Sequence, residues 1–209
     1  MIFKDKKIIF IHIYKTGGKS ISDVFRPYVD RFPIYYKVFN KLFTPLHIKW
    51  FPEYLSLDPH STALQYKEYL GEEFYKFYKF TFVRNPYSWE VSKYFFMKES
   101  REHYQHKLVN SMSFEEYISW RCDQEKVLQK SFIVDKNGNK IVDFIGKLEN
   151  LNEDILTLSK NINIALSKPK HLGASTHDHY KNYYNKKSIV KMQKTFMEDF
   201  ETFGYDPEI

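Results

Sequence analysis

The segment from Ile8 to Ser20 constrains this chain most, because an apolar run ends there in a turn rich in glycine, lysine and hydroxyl side chains. A short apolar run followed by such a turn is typical of a buried strand that delivers a loop to a sheet edge. Gly17 and Gly18 allow the backbone to approach a ligand closely. The side chains around them are Lys15, Thr16, Lys19 and Ser20. Backbone N–H groups at a helix start, together with ammonium groups, favour an anion, so this segment predicts a phosphate-type site.

The loop differs from the phosphate-binding loop of ATP and GTP enzymes. That motif needs a glycine five positions before the Gly-Lys-Ser/Thr end, and this position holds Ile13. The sequence also lacks a visible apolar strand that ends in a magnesium-binding aspartate. Both features argue against a nucleoside triphosphate bound with metal, although a P-loop kinase remains an alternative.

A second strand-turn-helix unit lies at residues 78–94. The apolar run Phe80–Val83 is followed by Arg84, and Asn85 and Pro86 suit the cap and first turn of a helix. An arginine fork binds two phosphate oxygens at once. We therefore expect a second anion-binding strand end, with Ser92 two turns along the helix.

These segments resemble the donor-binding elements of sulfotransferases that use 3′-phosphoadenosine 5′-phosphosulfate (PAPS). The stretch from His12 to Ser20 is similar to the family's 5′-phosphosulfate loop. Phe82–Tyr87 with Val91–Tyr94 is similar to its 3′-phosphate element. A weaker match at Phe144–Leu151 resembles the carbohydrate branch. The departures include Tyr14 for the usual proline, Lys19 for threonine, Ser88-Trp89 for Asp-Arg and Lys147 for arginine.

The resemblance implies an α/β sulfotransferase fold similar to that of P-loop kinases. It also implies transfer of a sulfuryl group from PAPS, with PAP as product, to a hydroxyl that we expect to lie on a carbohydrate. Arg84 and Ser92 are expected to hold the 3′-phosphate. The expected phosphosulfate cradle comprises Lys15, Thr16, Gly17, Gly18, Lys19 and Ser20. Lys15 is the candidate that stabilises the leaving oxygen, since its flexible ammonium can follow developing charge, and the alternative is a plain phosphate anchor.

The acceptor proton requires a base, and histidine suits this role near neutral pH. His60 precedes a predicted helix and lies upstream of the second strand, where related enzymes carry a histidine base; a structural role at the helix entry is the alternative. His47 is the rival candidate. His12 is expected to pack within the core, and His103 and His106 to be exposed.

The lysine- and tyrosine-rich stretch 168–184 resembles a loop that closes over the donor in the family. Lys168, Lys170 and Ser175 are candidate phosphate contacts there. The sequence His177-Asp178-His179, near His171, suggests a metal site. No third ligand follows at a recognisable spacing, so we expect no bound metal.

Alternating strands and helices predict an α/β fold, a single domain over residues 1–209 with a mainly parallel central sheet flanked by helices. We expect residues 28–61, which are aromatic and broken by prolines, to form an acceptor-facing insertion. The predicted strands are 7–13 and 77–83, with a hairpin of 132–134 and 140–144. The predicted helices are 18–26, 62–70, 86–99, 113–121, 150–160 and 186–200.

The composition fits an anionic donor. The 209 residues carry a formal net charge of +6, but lysines without arginine clusters do not predict nucleic-acid binding. Cys122 is the single cysteine, which permits a reducing compartment and suits a small core residue. No run reaches transmembrane length, and we expect a cytoplasmic protein. A non-catalytic binder of anionic glycans or nucleotides is a further alternative.

Overall fold

The structure is a computed structural model that describes residues 1–29, 57–170, 172 and 177–209. Its four-stranded sheet has the order β1, β2, β3, β4, formed by Ile2–Phe3, Ile8–Ile11, Tyr78–Val83 and Phe144–Lys147. β1 is antiparallel to β2, whereas β2, β3 and β4 are mutually parallel. The carboxyl ends of three strands therefore meet at one edge.

The helices of the described residues are α1 to α7, formed by Gly18–Phe25, Ala63–Leu70, Pro86–Glu99, His106–Asn110, Phe114–Asp123, Leu151–Asn161 and Lys186–Phe203. They cover both faces of the sheet. Ile8 and Phe10 of β2 pack in one apolar cluster, with residues of α1 and α6, while Ile9 and Ile11 pack in the other, with residues of α3, α5 and α7. Alternate side chains of a strand point to opposite faces, so both faces of β2 are covered and its continuous apolar sequence is explained.

Local capping explains where α3 begins. The side chain of Asn85 accepts hydrogen bonds from the backbone N–H groups of Tyr87 and Ser88, at 3.0 and 3.3 Å. Pro86 occupies the first helical turn, where a backbone N–H is not needed. The helix therefore starts directly after the end of β3, as the sequence predicts.

The predicted α/β class and mainly parallel sheet are confirmed, and the kinship with P-loop kinases stays a prediction. The predicted hairpin is wrong in extent. Val134 and Lys140 alone form an antiparallel bridge around the turn. The following residues pair with β3 instead: Asp143 donates its N–H to the carbonyl of Lys79 at 2.7 Å, and Phe144 then aligns with Phe80.

Two elements were not predicted from the sequence, and one predicted segment lies mostly outside the described residues. The sequence did not indicate β1 or the short helix α4. Most of the proposed insertion at 28–61, residues 30–56, lies outside the described residues, as does His47.

Cys122 is half-buried against the larger apolar cluster, and burial raises the pKa of its thiol.

Candidate active site

Residues 12–17 connect β2 to α1 and form a tightly held loop. Lys15 and Gly17 adopt left-handed backbone conformations, with φ of 64° and 88°, which are sparsely populated by residues other than glycine. The Trp89 indole donates a 2.7 Å hydrogen bond to the Tyr14 carbonyl, and the Thr16 hydroxyl donates one of the same length to Ile13. The loop that contains Lys15 is thus fixed by its own residues and by α3.

Neither glycine of the loop leaves room for a side chain. A Cβ at Gly18 would lie 1.7 Å from Nε2 of His12, and one at Gly17 would lie 2.6 Å from Cδ1 of Leu148. Both contacts are shorter than atoms allow. Gly18 is therefore required for packing of the loop against its own histidine. At Gly17 the near atom is the end of the Leu148 side chain, and the left-handed backbone is the stronger reason for glycine.

The Lys15 ammonium lies at the partly open side of the loop, 4.5 Å from the centre of the Phe96 ring. Burial, together with the nearby positive charges of Arg84 and Lys19, lowers the pKa of Lys15 to about 8. Lys19 is exposed, whereas Thr16 and Ser20 are buried. These cations repel one another, so a bound anion would reduce the repulsion between them.

Arg84 emerges from β3 into the same region. Its Nε donates to the Ser88 hydroxyl at 2.9 Å, and its Nη1 donates to the Lys15 carbonyl at 3.4 Å. Burial lowers the pKa of this guanidinium, and the Glu149 carboxylate opposes that effect. An arginine remains charged under such conditions. The two strand ends that were expected to bind anions are therefore in direct contact.

Ser92 is buried on α3, one turn beyond Ser88. Residues four apart share a helix face, so both hydroxyls follow the side of α3 on which Arg84 lies. On the next turn of this face is Phe96, the ring beside Lys15. The face therefore presents a guanidinium, two hydroxyls and an aromatic ring in succession.

His60 lies beside the start of the loop, next to His12 and Tyr14. Its Nδ1 is 3.0 Å from the carbonyl oxygen of His12, and its ring centre is 4.5 Å from that of His12 and 5.7 Å from that of Tyr14. A carbonyl only accepts hydrogen bonds, so Nδ1 carries the proton and Nε2 of the neutral ring keeps a lone pair. This tautomer can accept a proton at Nε2.

His12 has a packing role. Its ring stacks on Phe10 at 5.3 Å and lies against the backbone of Gly18. Burial, followed by the proximity of His60, lowers the pKa of His12 to about 3, so the ring is neutral. His103 and His106 are half-buried and not exposed, because the turn after α3 packs against its last residues: His106 Nδ1 lies 3.0 Å from the Met97 carbonyl.

Several residues that hold the site were not identified from the sequence. The Gln129 side chain forms two hydrogen bonds with the backbone of Arg84, at 2.9 and 2.8 Å. The Asp199 carboxylate in turn accepts the N–H groups of Gln129 and Lys130, both at 2.8 Å. Single polar residues in a loop and in a helix give no sequence signal for such a brace.

Glu149 is the exception, since it lies within the weaker match at Phe144–Leu151, the third motif of the sequence. Its carboxylate accepts hydrogen bonds from the Asn85 backbone and the Tyr205 hydroxyl, both at 2.8 Å. Beside it is a cavity of about 540 Å³ that borders Arg84. The cavity is lined by Arg84, Asn85, Ser88, Glu149, Tyr205 and residues 177–180. The third motif therefore connects the start of α3 to the end of the chain.

The segment after α6 contributes at two points. The backbone N–H of Leu172 donates to the Ser20 hydroxyl at 3.0 Å, and the His177 ring stacks on Phe95 at 5.4 Å. Lys168 and Lys170 are exposed. His171 and Ser175 lie outside the described residues. Among residues 1–29, 57–170, 172 and 177–209, no group of three metal-ligating side chains comes together.

A mainly parallel sheet with guanidinium and ammonium groups at the ends of two adjacent strands defines an α/β protein with a cationic sheet edge. A model of the sulfotransferase family matches residues 1–206, and the chain belongs to that family. It is 31% identical over 104 residues to an uncharacterized protein of Archaeoglobus fulgidus; this match covers 49% of the present chain and 81% of the relative. No α-helix in the described part of the chain is long and apolar enough to cross a membrane.

Proposed function

We propose that this protein transfers a sulfuryl group from PAPS to a hydroxyl of a carbohydrate. The observation that carries the proposal is the 3.4 Å contact between the Arg84 guanidinium and the Lys15 carbonyl. It joins two cationic strand ends on adjacent parallel strands, the place where open α/β sheets bind ligands. Membership of the sulfotransferase family gives sulfuryl transfer as the general class of reaction.

The side chains at the sheet edge fit an anionic donor. Arg84 would hold the 3′-phosphate with Ser92, while the loop of residues 15–20 would hold the phosphosulfate. Ser88 and the Lys15 carbonyl orient the guanidinium, so little freedom is lost when it binds an oxygen. Lys15 and Lys19 add positive charge close by, and a bound anion would reduce their mutual repulsion.

PAPS would supply an activated sulfuryl group whose bond to the bridging phosphate oxygen is broken as the acceptor oxygen bonds to sulfur. Lys15 would stabilise the charge that develops on the leaving oxygen. Its left-handed backbone and the Trp89 hydrogen bond at Tyr14 fix the base of its side chain. The protein thus contributes mainly position and electrostatics.

His60 would accept the acceptor proton at Nε2. The hydrogen bond from Nδ1 to the His12 carbonyl selects the tautomer with this lone pair. A catalytic base is commonly oriented by a hydrogen bond to a third group, and here that group is a backbone carbonyl. His12 itself stays neutral and buried, and we assign it no part in proton transfer.

Calorimetry with PAP tests the proposal, with ADP and magnesium-ATP as comparison ligands and no metal in the first titration. We expect tight metal-free binding that depends on the 3′-phosphate. A preference for magnesium-ATP would reject the sulfotransferase function and favour a nucleotide kinase. Binding of PAP without transfer from PAPS to any hydroxyl acceptor would instead favour a non-catalytic binder.

A further inference from the structure

Three aromatic rings form a continuous surface that starts at the Lys15 ammonium. The ammonium lies 4.5 Å from the centre of Phe96, the edge of His103 faces Phe96 at 5.8 Å, and Tyr104 stacks on His103 at 4.8 Å. We call Phe96, His103 and Tyr104 the aromatic platform.

The platform is open to solvent. Tyr104 is 84% exposed and Phe96 is 37% exposed. Single exposed aromatic residues are ordinary, but a connected group is a feature of binding surfaces. The turn that carries it is well ordered by backbone hydrogen bonds, from His103 to Ser100 at 2.9 Å and from His106 to His103 at 2.8 Å. These bonds fix the backbone that carries His103 and Tyr104 next to Phe96.

We propose that the aromatic platform binds a sugar ring of the acceptor and thereby selects carbohydrate chains as substrates. The proposal rests on the proposed function, since it assigns the surface that holds the carbohydrate acceptor at the same site. A pyranose has one apolar face of C–H groups and a rim of hydroxyls, so it can lie on an aromatic ring while its rim stays hydrated. An oligosaccharide lying along the platform would place a hydroxyl near Lys15 and leave the rest of the chain over Tyr104.

The polarity around the platform favours a sugar over an apolar phenol. Glu99, Arg101 and Glu102 next to it are exposed, and they offer hydrogen bonds to hydroxyl groups. A purely apolar acceptor is normally enclosed in a pocket that buries most of its surface. The described residues do not enclose the platform on the side of Tyr104, which is 84% exposed.

The experiment compares Tyr104→Ala with Tyr75→Ala. Tyr75 is also well exposed, at 57%, but it lies in the 3-10 turn before β3 and contacts Phe74 and Lys67. Both changes remove a surface tyrosine and should leave the fold intact. Each protein, with and without saturating PAP, is applied to an array of neutral and uronate-containing unsulfated oligosaccharides, and p-nitrophenol and tyramine are titrated as phenolic probes. PAP affinity is measured in parallel.

We expect wild type and Tyr75→Ala to bind a common set of oligosaccharides, and Tyr104→Ala to bind them about fivefold or more weakly, as loss of one aromatic contact implies. PAP affinity should be equal in all three. Equal glycan binding by Tyr104→Ala, no glycan binding by PAP-loaded wild type, or Tyr104-dependent binding of the phenols alone would overturn the platform. Failure of PAP to bind would reject the proposed function separately, and the array without PAP would still decide on the platform.

Discussion

The ring of His60 donates its Nδ1 proton to the carbonyl oxygen of His12 across 3.0 Å. These residues are 48 positions apart, and the bond joins the segment before α2 to the end of β2. It fixes one tautomer of His60 beside the loop that carries Lys15. The sequence supplied His60 as a candidate base, but the orienting carbonyl is visible only in the fold.

Replacement of His60 by alanine tests the assigned base. We expect kcat for sulfuryl transfer to fall by about 10²- to 10⁴-fold, the usual contribution of general base catalysis. PAP affinity should remain within a factor of about two, since His60 is not assigned a donor contact. Steady-state rates from pH 6 to 9 and calorimetry provide the two readouts. Retained activity across neutral pH would transfer the base role to another residue, such as His47.

The ionisation of Lys15 predicts how donor binding changes with pH. Its pKa in the unliganded protein is lowered to about 8, so the ammonium that attracts the anion is present below pH 8 and is lost above it. PAP binding should weaken by at most about tenfold per pH unit above 8, and binding at pH 8 should take up as much as about half a proton. Calorimetry in buffers of different ionisation enthalpy measures this uptake.

Lys15→Arg is the matched control, because its guanidinium stays charged throughout this range. This variant should bind PAP with little change between pH 7 and 9 and without proton uptake in that interval. If wild type and Lys15→Arg show the same pH dependence, Lys15 does not supply the titrating charge. Lys15→Ala should abolish turnover, and unchanged rates with saturating donor would remove Lys15 from the mechanism.

The close packing of Gly18 against His12 predicts strong coupling between these two positions. In Gly18→Ala the new Cβ would lie 1.7 Å from His12 Nε2, so the ring or the loop must move, and we expect destabilisation by about 1–3 kcal/mol. His12→Ala should remove the obstacle, and the double variant should be more stable than the sum of the single effects predicts. Chemical denaturation of all four proteins measures the coupling, and strictly additive effects would contradict the contact.

Much of the fold was accessible from the sequence because the local signals agree with one another. The buried strands before Lys15 and Arg84, the cap at Asn85 and the parallel sheet all follow from apolar runs and turn residues. The hairpin after Val134 was predicted wrongly because its turn residues give only a local signal. The pairing of Phe144 with Phe80 depends instead on long-range competition between strands, which that signal does not contain. The two-residue strand β1 is too short to give a pattern.

The charged residues of the site could be predicted from the sequence, but the residues that hold them in place could not. Lys15 and Arg84 stand out because their chemistry and their place after a strand point to an anion. Gln129, which holds the Arg84 backbone, and Asp199, which holds Gln129, act through hydrogen bonds between distant segments. The meaning of Tyr14 also needed the structure: its ring stacks on Trp89 at 5.3 Å, a contact that no sequence pattern indicates.

A buried charge behind the loop predicts a pH dependence of stability. The Lys93 ammonium is enclosed, 2.5 Å from Glu90, which also accepts from Arg121 at 3.1 Å. Burial lowers the pKa of Lys93 from 10.5 to about 7, against the opposing effect of Glu90. Between these values the unfolded chain binds more protons, so this group makes the free energy of unfolding rise as pH increases from about 7 to 10.5.

Lys93→Met removes this contribution while it leaves the Glu90–Arg121 pair intact. We expect the variant to lose part of the rise in stability with pH that wild type shows, whereas Lys15 continues to titrate in both proteins. Urea unfolding at pH 7, 8 and 9 provides the comparison. Parallel stability curves for wild type and Lys93→Met would show that Lys93 keeps an ordinary pKa.

The contact of Arg84 with the Lys15 loop is tested most directly by the affinity ratio between PAP and adenosine 5′-monophosphate, which differ by the 3′-phosphate. We predict that metal-free calorimetry gives wild type a strong preference for PAP, and that Arg84→Ala lowers this preference by about tenfold or more, the expected loss of a charge-assisted phosphate contact. Arg26→Ala is the matched control, because Arg26 is exposed and pairs with Asp23 on α1; it should keep the preference for PAP. A preference for PAP that is unchanged in Arg84→Ala would contradict the assignment of the sheet edge as the donor site.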